Sequence, residues 1–441
     1  MHMPGHKRNG KLFPWLNALG GGLDITEIDG FDNLNAPQTL FKDLEERAAR
    51  LWGAGETIAL VNGSTAGVLT AVRAALERGG ELLMFRGSHK SVYHGAEIVR
   101  AKVHYLVPKM LPDTPIWGPV TPGEVAAALE THPDVRLVSI TSPTYEGVIS
   151  DIEAIAAVCH ARGVPLLVDE AHGAHLGFGE FPKSAVQCGA DLVVQSLHKT
   201  LPSLTQTALL HINGSLMDPA DVRRNAEKFQ TSSPSYLLSA SIDGCVRFLE
   251  QEGTAAVHRW VELLTEFYQR MEGLENLKMI RTQDPSKLVI SAGDTDLDGP
   301  TLMEILREQY RIELEMAHGS YVVAMTGMGD TRESLRRFAL AVGRIDKNCR
   351  RTCAPTAAPA FVLPESRLPI HQAVTAKGEL CPLAAAEGRL SGEYVWAYPP
   401  GTPLLVPGEV VSGEAVRAIQ SQQGLHSSRG KIPQKIFCID E

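Results

Sequence analysis

The sequence predicts an α/β protein whose main domain is a mostly parallel sheet covered by helices on both faces. From about residue 57, short apolar runs alternate with helical patterns, and the runs read "TIALV", "ELLMF", "VRLVSI", "PLLVD", "DLVVQS" and "TALLHI". These runs are apolar throughout, as strands are when helices bury both of their faces. Strand–helix alternation of this length is typical of a doubly covered sheet. Because such sheets bind ligands at the carboxyl ends of their strands, the loops that follow the strands become the candidate sites.

Composition and charge argue against a nucleic-acid-binding, membrane or secreted protein. The 441 residues are 44% hydrophobic and 21% charged, with a formal net charge of −9, which is ordinary for a globular protein. The negative charge argues against nucleic acid as the main partner. No apolar run reaches the ~18 residues of a membrane span, and "MHMPGHKRNGK" lacks a signal-peptide core, so we expect a cytoplasmic protein without a membrane partner. The seven cysteines are scattered and are expected to be reduced.

Changes in pattern along the chain predict five parts. Strands and helices alternate again in "KLVISA", "TLMEILREQY" and "RESLRRFALAVGRI", which indicates a small α+β domain, and "TCAPTAAPAF" has the Ala and Pro content of a linker. The predicted parts are an N-terminal arm at 1–45, a large domain at 46–285, the small domain at 286–350, the linker at 351–365 and a C-terminal domain at 366–441.

Two strand ends carry residues that suit a phosphate and a planar ring. "NGSTAG" follows "TIALV" and leads directly into a helix, where free backbone N–H groups favour an anion and Ser64 and Thr65 add hydroxyl donors. An ordinary helix cap with a turn glycine is the alternative. His89 follows "ELLMF", and its imidazole either lies against a planar ring or belongs to a solvated loop.

Two further strand ends carry a carboxylate and an amine. Asp169 ends the apolar run "PLLVD", and Lys199 follows the next run in "DLVVQSLHKT". Both groups are costly to bury unless something uses them. Together with a phosphate site on the same sheet, they predict pyridoxal 5′-phosphate (PLP). Lys199 would form the Schiff base, and Asp169 would keep the pyridine nitrogen protonated. Ser196 and His198 would reach back to the phosphate.

The spacing of two histidines raises a metal site as an alternative. His172 and His175 are three residues apart, and Asp169 would be a third ligand. The chain does not supply the helical geometry of the usual two-histidine motif, so we predict no metal here.

Segments spread over nearly the whole chain carry a family resemblance. They are "HMPGHKRNG", "DITEIDGFDNL", "NGSTAG", "SHKS", "SPTYEGVISDI", "VDEAHGAH", "QSLHKTLPSLTQ" and "YPPGTPLLVPGE". With them the chain resembles the fold type I PLP enzymes and, more narrowly, the short bacterial Orn/Lys/Arg decarboxylases; "PGHK" and "YPPG" are the most discriminating segments. The resemblance implies an aminotransferase-like large domain and decarboxylation of arginine, lysine or ornithine to a polyamine-precursor amine.

The resemblance also implies roles around the cofactor ring. Lys199 would be the Schiff-base lysine and Asp169 the partner of the ring nitrogen. His89 would stack on one face of the ring, and Ala171 would pack on the other, where a small residue is required. His172 would lie near the ring hydroxyl.

Around the phosphate, the resemblance implies Ser64, Thr65, Ser196 and His198 as ligands, with Thr144 nearby on the substrate side. The family forms dimers with active sites at the interface, so the resemblance implies at least a homodimer.

The cation of a basic substrate requires a carboxylate partner when it is buried. Glu393 in "LSGEYVWAYPPG" is the residue we favour, because Tyr394 and Trp396 beside it can flank a cation. A structural acid is the alternative.

Two other functions stay open at this point. Another fold type I activity, such as an aminotransferase or a carbon–carbon lyase, is possible because "DEAHG" also occurs in acyl-transferring relatives. A cofactor-binding regulator would need a DNA-binding module, for which the sequence offers no residues before the core.

Overall fold

The computed structural model describes residues 2–77, 79–352, 362–397, 402–421, 425–428 and 435–440. The chain divides into two compact units whose segments are interleaved along the sequence. The first unit comprises Met1–Ala75, Ile152–Glu262 and Gly327–Gly329, and the second comprises Leu76–Asp151, Leu263–Thr326 and Asp330–Glu441. The linear domain boundaries given above stay a prediction.

The helices often begin at side-chain caps that the sequence provides. Thr121 and Glu124 form a capping box at the start of α5, and Thr331 caps α11 in the same way with Ser334. In the described part of the chain the helices are α1 (Pro14–Ala18), α2 (Leu40–Trp52), α3 (Gly63–Ala75), α4 (Lys90–Ile98), α5 (Pro122–Thr131), α6 (Ile152–His160), α7 (Leu197–Thr200), α8 (Pro219–Ala226), α9 (Tyr236–Met271), α10 (Gly299–Tyr310), α11 (Arg332–Asn348), α12 (Ile370–Ala373) and α13 (Gly413–Ser421).

The strands include all six of the predicted apolar runs. They are β1 (Glu56–Leu60), β2 (Glu81–Phe85), β3 (Lys102–Leu106), β4 (Val135–Thr141), β5 (Leu166–Asp169), β6 (Leu192–Ser196), β7 (Ala208–Ile212), β8 (Lys278–Ile280), β9 (Lys287–Ser291), β10 (Met316–His318), β11 (Tyr321–Met325), β12 (Gly378–Pro382), β13 (Leu390–Ser391), β14 (Val395–Ala397), β15 (Thr402–Leu405), β16 (Leu425–Ser427) and β17 (Lys435–Ile439).

Four neighbouring strands form the core of the first unit, in the order β1-β7-β6-β5. β5 and β6 are parallel, whereas β7 is antiparallel to both β6 and β1. Every residue of β5, β6 and β7 is buried, as the uniformly apolar runs predicted.

Helix α3 approaches this sheet closely because of Gly67. A Cβ atom at Gly67 would lie 2.7 Å from Cδ1 of Leu60 and 2.9 Å from Cγ1 of Val194. No side chain fits between helix and sheet at that point, so the glycine brings the start of α3 against the ends of β1 and β6.

The second unit contains strands in the order β4-β2-β3, all parallel, and a four-stranded antiparallel sheet in the order β10-β11-β9-β8. Together with α10 and α11, the second of these sheets supplies the predicted α+β elements. β3 was not predicted from the sequence. Its residues grade from exposed to buried instead of being apolar throughout, because it lies at the edge of the sheet.

The C-terminal part of the second unit has two three-stranded sheets, β12-β17-β13 and β15-β14-β16. Their apolar side chains pack in a cluster with α13 that includes Val395, Leu405 and Ile436. The discriminating "YPPG" segment lies outside the described residues, as does most of the predicted linker. No helix in the described ranges is long and apolar enough to cross a membrane.

Candidate active site

The strand pairing brings the predicted residues of the first unit to one edge of the sheet. Leu60 at the end of β1 and Ser196 at the end of β6 both pair with Ala208 of β7, one on each side. The two strand ends are therefore two strand spacings apart, ~10 Å. On the other side of β6, Asp169 pairs with Val194. Since β1, β5 and β6 run in the same direction, their carboxyl ends present their loops to the same region.

Asp169 is a buried carboxylate at this edge, with 4% of its surface exposed. It accepts a hydrogen bond from the backbone N–H of Ala171 at 3.2 Å. Burial raises its pKa, and the ammonium of Lys199 and the N–H of Ala171 partly offset that rise. A buried carboxylate of this kind is stabilised by a cation or a charged donor directed at it, and a protonated ring nitrogen is such a donor.

Lys199 lies in α7, a single turn that follows β6 directly. Its Nζ is 2.7 Å from Nε2 of His172. Backbone hydrogen bonds hold the turn at both ends: Leu197 donates to the carbonyl of Thr207 at 3.1 Å, and Met328 donates to the carbonyl of Thr200 at 3.0 Å. The amine is thus held at the strand end beside an imidazole.

The predicted phosphate ligands lie in two places, at the junction of β6 with α7 and in the first turn of α3. Ser196 is fully buried, and its Oγ has no hydrogen-bond partner among the described residues. Ser64 and Thr65 lie in the first turn of α3, half-buried and exposed respectively. His198 donates from Nδ1 to the carbonyl of Thr207 at 3.0 Å, which leaves Nε2 of a neutral ring as an acceptor, and its contact with the phosphate stays a prediction. Burial lowers the pKa of His198.

His89 and Thr144 belong to the second unit, where each lies in the loop after a strand. His89 is the N-cap residue of α4, and its Nδ1 accepts from the backbone N–H of Ser91 at 3.3 Å. Thr144 donates from Oγ1 to the carboxylate of Glu146 at 2.9 Å, and Glu146 accepts in turn from the hydroxyl of Tyr321 at 2.7 Å. Their contacts to the cofactor stay predictions.

Glu393 is buried among the C-terminal strands. Its Oε1 accepts from the backbone N–H of Phe437 at 2.5 Å, and its Oε2 accepts from the hydroxyl of Ser427. The rings of Tyr394 and Trp396 stack on each other, with centroids 4.7 Å apart. These contacts favour the structural alternative for Glu393, and its contact with a substrate cation stays a prediction.

The two histidines of the metal alternative have different surroundings. Nε2 of His172 faces Lys199, whereas the ring of His175 packs against Phe181 and Trp260, with centroids 4.6 Å and 5.1 Å away. His175 is therefore part of an aromatic cluster.

Sequence reasoning missed the segment around Met328. Gly327 lies so close to the turn of Lys199 that an added Cβ would be 3.1 Å from the carbonyl oxygen of Thr200. The two glycines of "TGMGD" are the signal for such a close approach, but their distance along the chain gave no indication of which turn they contact.

A second missed feature is a buried polar chain across the strands. Glu170 accepts from Nε2 of Gln195 at 2.7 Å, Oε1 of Gln195 lies 3.2 Å from Nε2 of His211, and Nδ1 of His211 lies 2.8 Å from Oγ1 of Thr57. Burial lowers the pKa of His211 to about 3, so the ring is neutral and acts as a link between strands next to the site.

Comparison with known proteins gives the same family as the resemblance in the sequence. Residues 2–297 match the family described as "Orn/Lys/Arg decarboxylase, major domain", and residues 359–433 match "Orn/Lys/Arg decarboxylase, C-terminal domain". An arginine decarboxylase of Bacillus subtilis is 30% identical over 436 residues, which cover 95% of this chain and 89% of the relative.

Two solved structures show the same fold at low identity. The Escherichia coli constitutive lysine decarboxylase has a TM-score of 0.83 at 18% identity, covering 100% of this chain and 79% of its own. An alanine–glyoxylate aminotransferase of Nostoc sp. has a TM-score of 0.57 at 18% identity, covering 69% of this chain and 86% of its own. The predicted aminotransferase-like fold is thereby confirmed.

Proposed function

The chain belongs to the Orn/Lys/Arg decarboxylase family, and from that premise we propose that it removes the α-carboxyl group of a basic amino acid with the help of bound PLP. The observation that carries the proposal is the position of Asp169 at the carboxyl end of β5 and of Lys199 directly after the carboxyl end of the adjacent strand β6. β5 and β6 are neighbouring parallel strands, and strands so paired lie ~5 Å apart, so the two groups can engage one ring.

The residues of the first unit fit PLP as a group. Lys199 is the attachment point, and Asp169 would hold a proton on the ring nitrogen. Ser196 has a buried hydroxyl with no protein partner in the described ranges, as expected of a phosphate ligand. Ser64 and Thr65 add hydroxyl and backbone donors at the start of α3. When bound, PLP supplies an electron sink for the carbon that loses the carboxylate.

The remaining chemistry belongs to the protein. His172 lies beside Nζ of Lys199 and is placed to exchange a proton with it. The predicted contacts of His89 and Ala171 with the two ring faces would exclude water from the reacting carbon. With the protonated ring nitrogen beside it, Asp169 would be charged, and its charge would act more strongly in this buried position than in water.

The substrate class follows from the family, and arginine is the first candidate within it. A relative whose match covers 95% of the chain is named an arginine decarboxylase. We expect purified protein with PLP to release CO2 from arginine, with agmatine as the second product, and to act less on lysine and ornithine. Formation of a keto acid without CO2 would instead support the aminotransferase alternative.

We also propose a homodimer. The N-terminal arm exposes a series of large apolar side chains, and α1 contains no buried residue. The exposed side chains are Met3 (60%), Leu12 (66%), Trp15 (65%), Leu19 (69%) and Leu23 (74%). Exposed apolar groups this concentrated mark an interaction surface, and a second copy of the chain is the occupant that we propose.

The cytoplasmic location and a part in polyamine biosynthesis stay predictions.

A further inference from the structure

Three side chains of metal-binding type meet at the amino-terminal end of two strands in the second unit. Glu81 is the first residue of β2, His104 lies in β3, and His132 follows the last residue of α5. Their ligand-type atoms all lie within 4.8 Å of one another, and all three residues are partly buried. Among the described residues, no other three histidine, cysteine or acidic side chains bring their ligand-type atoms this close together.

Strand pairing and the end of helix α5 bring these three side chains together. Glu81 pairs with Lys102 of β3 on one side and with Val135 of β4 on the other. Pro133 disfavours helix at the residue before it, so α5 ends at Thr131 and His132 is its C-cap residue, whose backbone N–H donates to the carbonyl of Ala128 at 2.9 Å. Only two residues then separate His132 from β4, which holds its ring at the sheet edge.

Within the cluster, the carboxylate of Glu81 lies between the imidazole of His104 and the ammonium of the exposed Lys102. Nε2 of His104 is 2.6 Å from Oε2 of Glu81, and Nζ of Lys102 is 2.9 Å from the other oxygen, Oε1. The rings of His104 and His132 stack with centroids 3.6 Å apart and an interplanar angle of 18°. His104 therefore lies beside one carboxylate oxygen and carries the ring of His132 on its face, and Lys102 contacts the opposite oxygen.

We propose that Glu81, His104 and His132 bind a divalent transition-metal ion, with Zn²⁺ as the ion that the donors suit best. Two imidazole nitrogens and one carboxylate oxygen are a donor set of protein zinc sites, and water would complete the coordination. Ca²⁺ and Mg²⁺ prefer sites built from oxygen atoms and would bind more weakly.

Closing the site requires rotation of the two stacked rings, so that a nitrogen of each faces the ion. Zinc–ligand distances of about 2.0–2.2 Å require ligand atoms ~3.3 Å apart, which the present separations of up to 4.8 Å approach within side-chain reach. Glu81 and His104 keep 16% and 13% of their side-chain surface exposed, so an ion has access. Lys102 would remain as the outer partner that orients the carboxylate.

Within the second unit, the cluster lies at the opposite end of β2 from the loop that carries His89. β2 runs from Glu81 to Phe85, about 13 Å, and the loop of His89 follows its far end. A metal ion at Glu81 would tie the edge strand β3 to β2 and to the end of α5. The bound ion would therefore stabilise the edge of the sheet, with water in its fourth position.

Zinc binding by the full-length, tag-free protein tests the proposal. The protein would be treated with a chelator, and Zn²⁺ binding would be measured by calorimetry, with Co²⁺ absorption as a second readout of coordination. We expect one saturable site in the wild type. Loss of one ligand in His132→Ala or Glu81→Gln should weaken it at least ~10–100-fold, by comparison with the cost of losing an outer partner.

His160→Ala is the matched control. His160 pairs with Asp191 at 2.9 Å, so this variant also removes a histidine–carboxylate contact, but one without a second imidazole. It should bind Zn²⁺ like the wild type. His132 is preferred to His104 for the test because it lies at a helix end and not within a strand. Absence of a saturable site in the wild type, unchanged binding in His132→Ala and Glu81→Gln, or equal loss in His160→Ala would overturn the proposal.

Discussion

Replacing Asp169 with Asn isolates the charge that the proposed chemistry requires. The side chain keeps its size, and its oxygen can still accept the hydrogen bond from Ala171 at 3.2 Å. What is lost is a negative charge that is 4% exposed and that would hold the ring nitrogen in its protonated form.

The structure sets the size of the effect. An opposite charge in close contact shifts a pKa by roughly 1–3 units, and each unit corresponds to ~1.4 kcal/mol. Near-complete burial of Asp169 places it in the upper half of that range. We therefore expect a loss of roughly 3 kcal/mol of transition-state stabilisation, a decrease in turnover of ~10²-fold or more. Cofactor affinity should fall less, because Lys199 and the phosphate ligands remain.

The assay is CO2 release from arginine, lysine and ornithine at saturating PLP, with cofactor affinity measured by absorption. Glu170→Gln is the control, because Glu170 is the adjacent buried carboxylate and its oxygens accept from Ala185 at 2.8 Å and Gln195 at 2.7 Å. That variant should lower the melting temperature more than it lowers turnover per folded molecule. Near-normal turnover in Asp169→Asn would refute the assignment of Asp169 to the ring nitrogen.

Three further predictions concern assembly, substrate and fold. Removal of residues 2–10 should reduce activity more than it reduces the melting temperature, and an active monomer in light scattering of the wild type would contradict the dimer. Glu393→Gln should raise KM for the basic substrate while the cofactor absorption is unchanged, and a KM equal to the wild type with every basic amino acid would restrict Glu393 to its structural contacts. Gly67→Ala should destabilise the fold by ~1–3 kcal/mol through overpacking against Leu60, measured by denaturant unfolding. The control Gly253→Ala meets Leu249 only at 3.5 Å and should stabilise helix α9 by roughly 0.5–1 kcal/mol; equal effects of the two alanines would contradict the close helix approach.

The strands of the main sheet were predictable because burial on both faces demands apolar runs. For the same reason Asp169, which ends one of those runs, and Lys199, which follows the next, could be recognised as candidate functional groups. β3 escaped prediction because an edge strand contains residues such as Lys102 and His104, which lack the uniform apolar signal.

Contacts between residues far apart in sequence were not predictable in this way. The backbone hydrogen bond from Met328 to Thr200 depends on how a distant loop packs, and no local pattern specifies it. Glu393 illustrates the same limit: its neighbours Tyr394 and Trp396 suggested a cation site, whereas its carboxylate is bonded to strands that come later in the chain.

Mapping the attachment point of the cofactor would establish whether Lys199 is the lysine that binds PLP. Protein that releases CO2 from its substrate would be loaded with PLP, reduced with borohydride to make the lysine–cofactor bond permanent, and digested for mass spectrometry. We expect one labelled peptide, with the label on Lys199. A label on another lysine, or none in protein that is active with PLP, would contradict it.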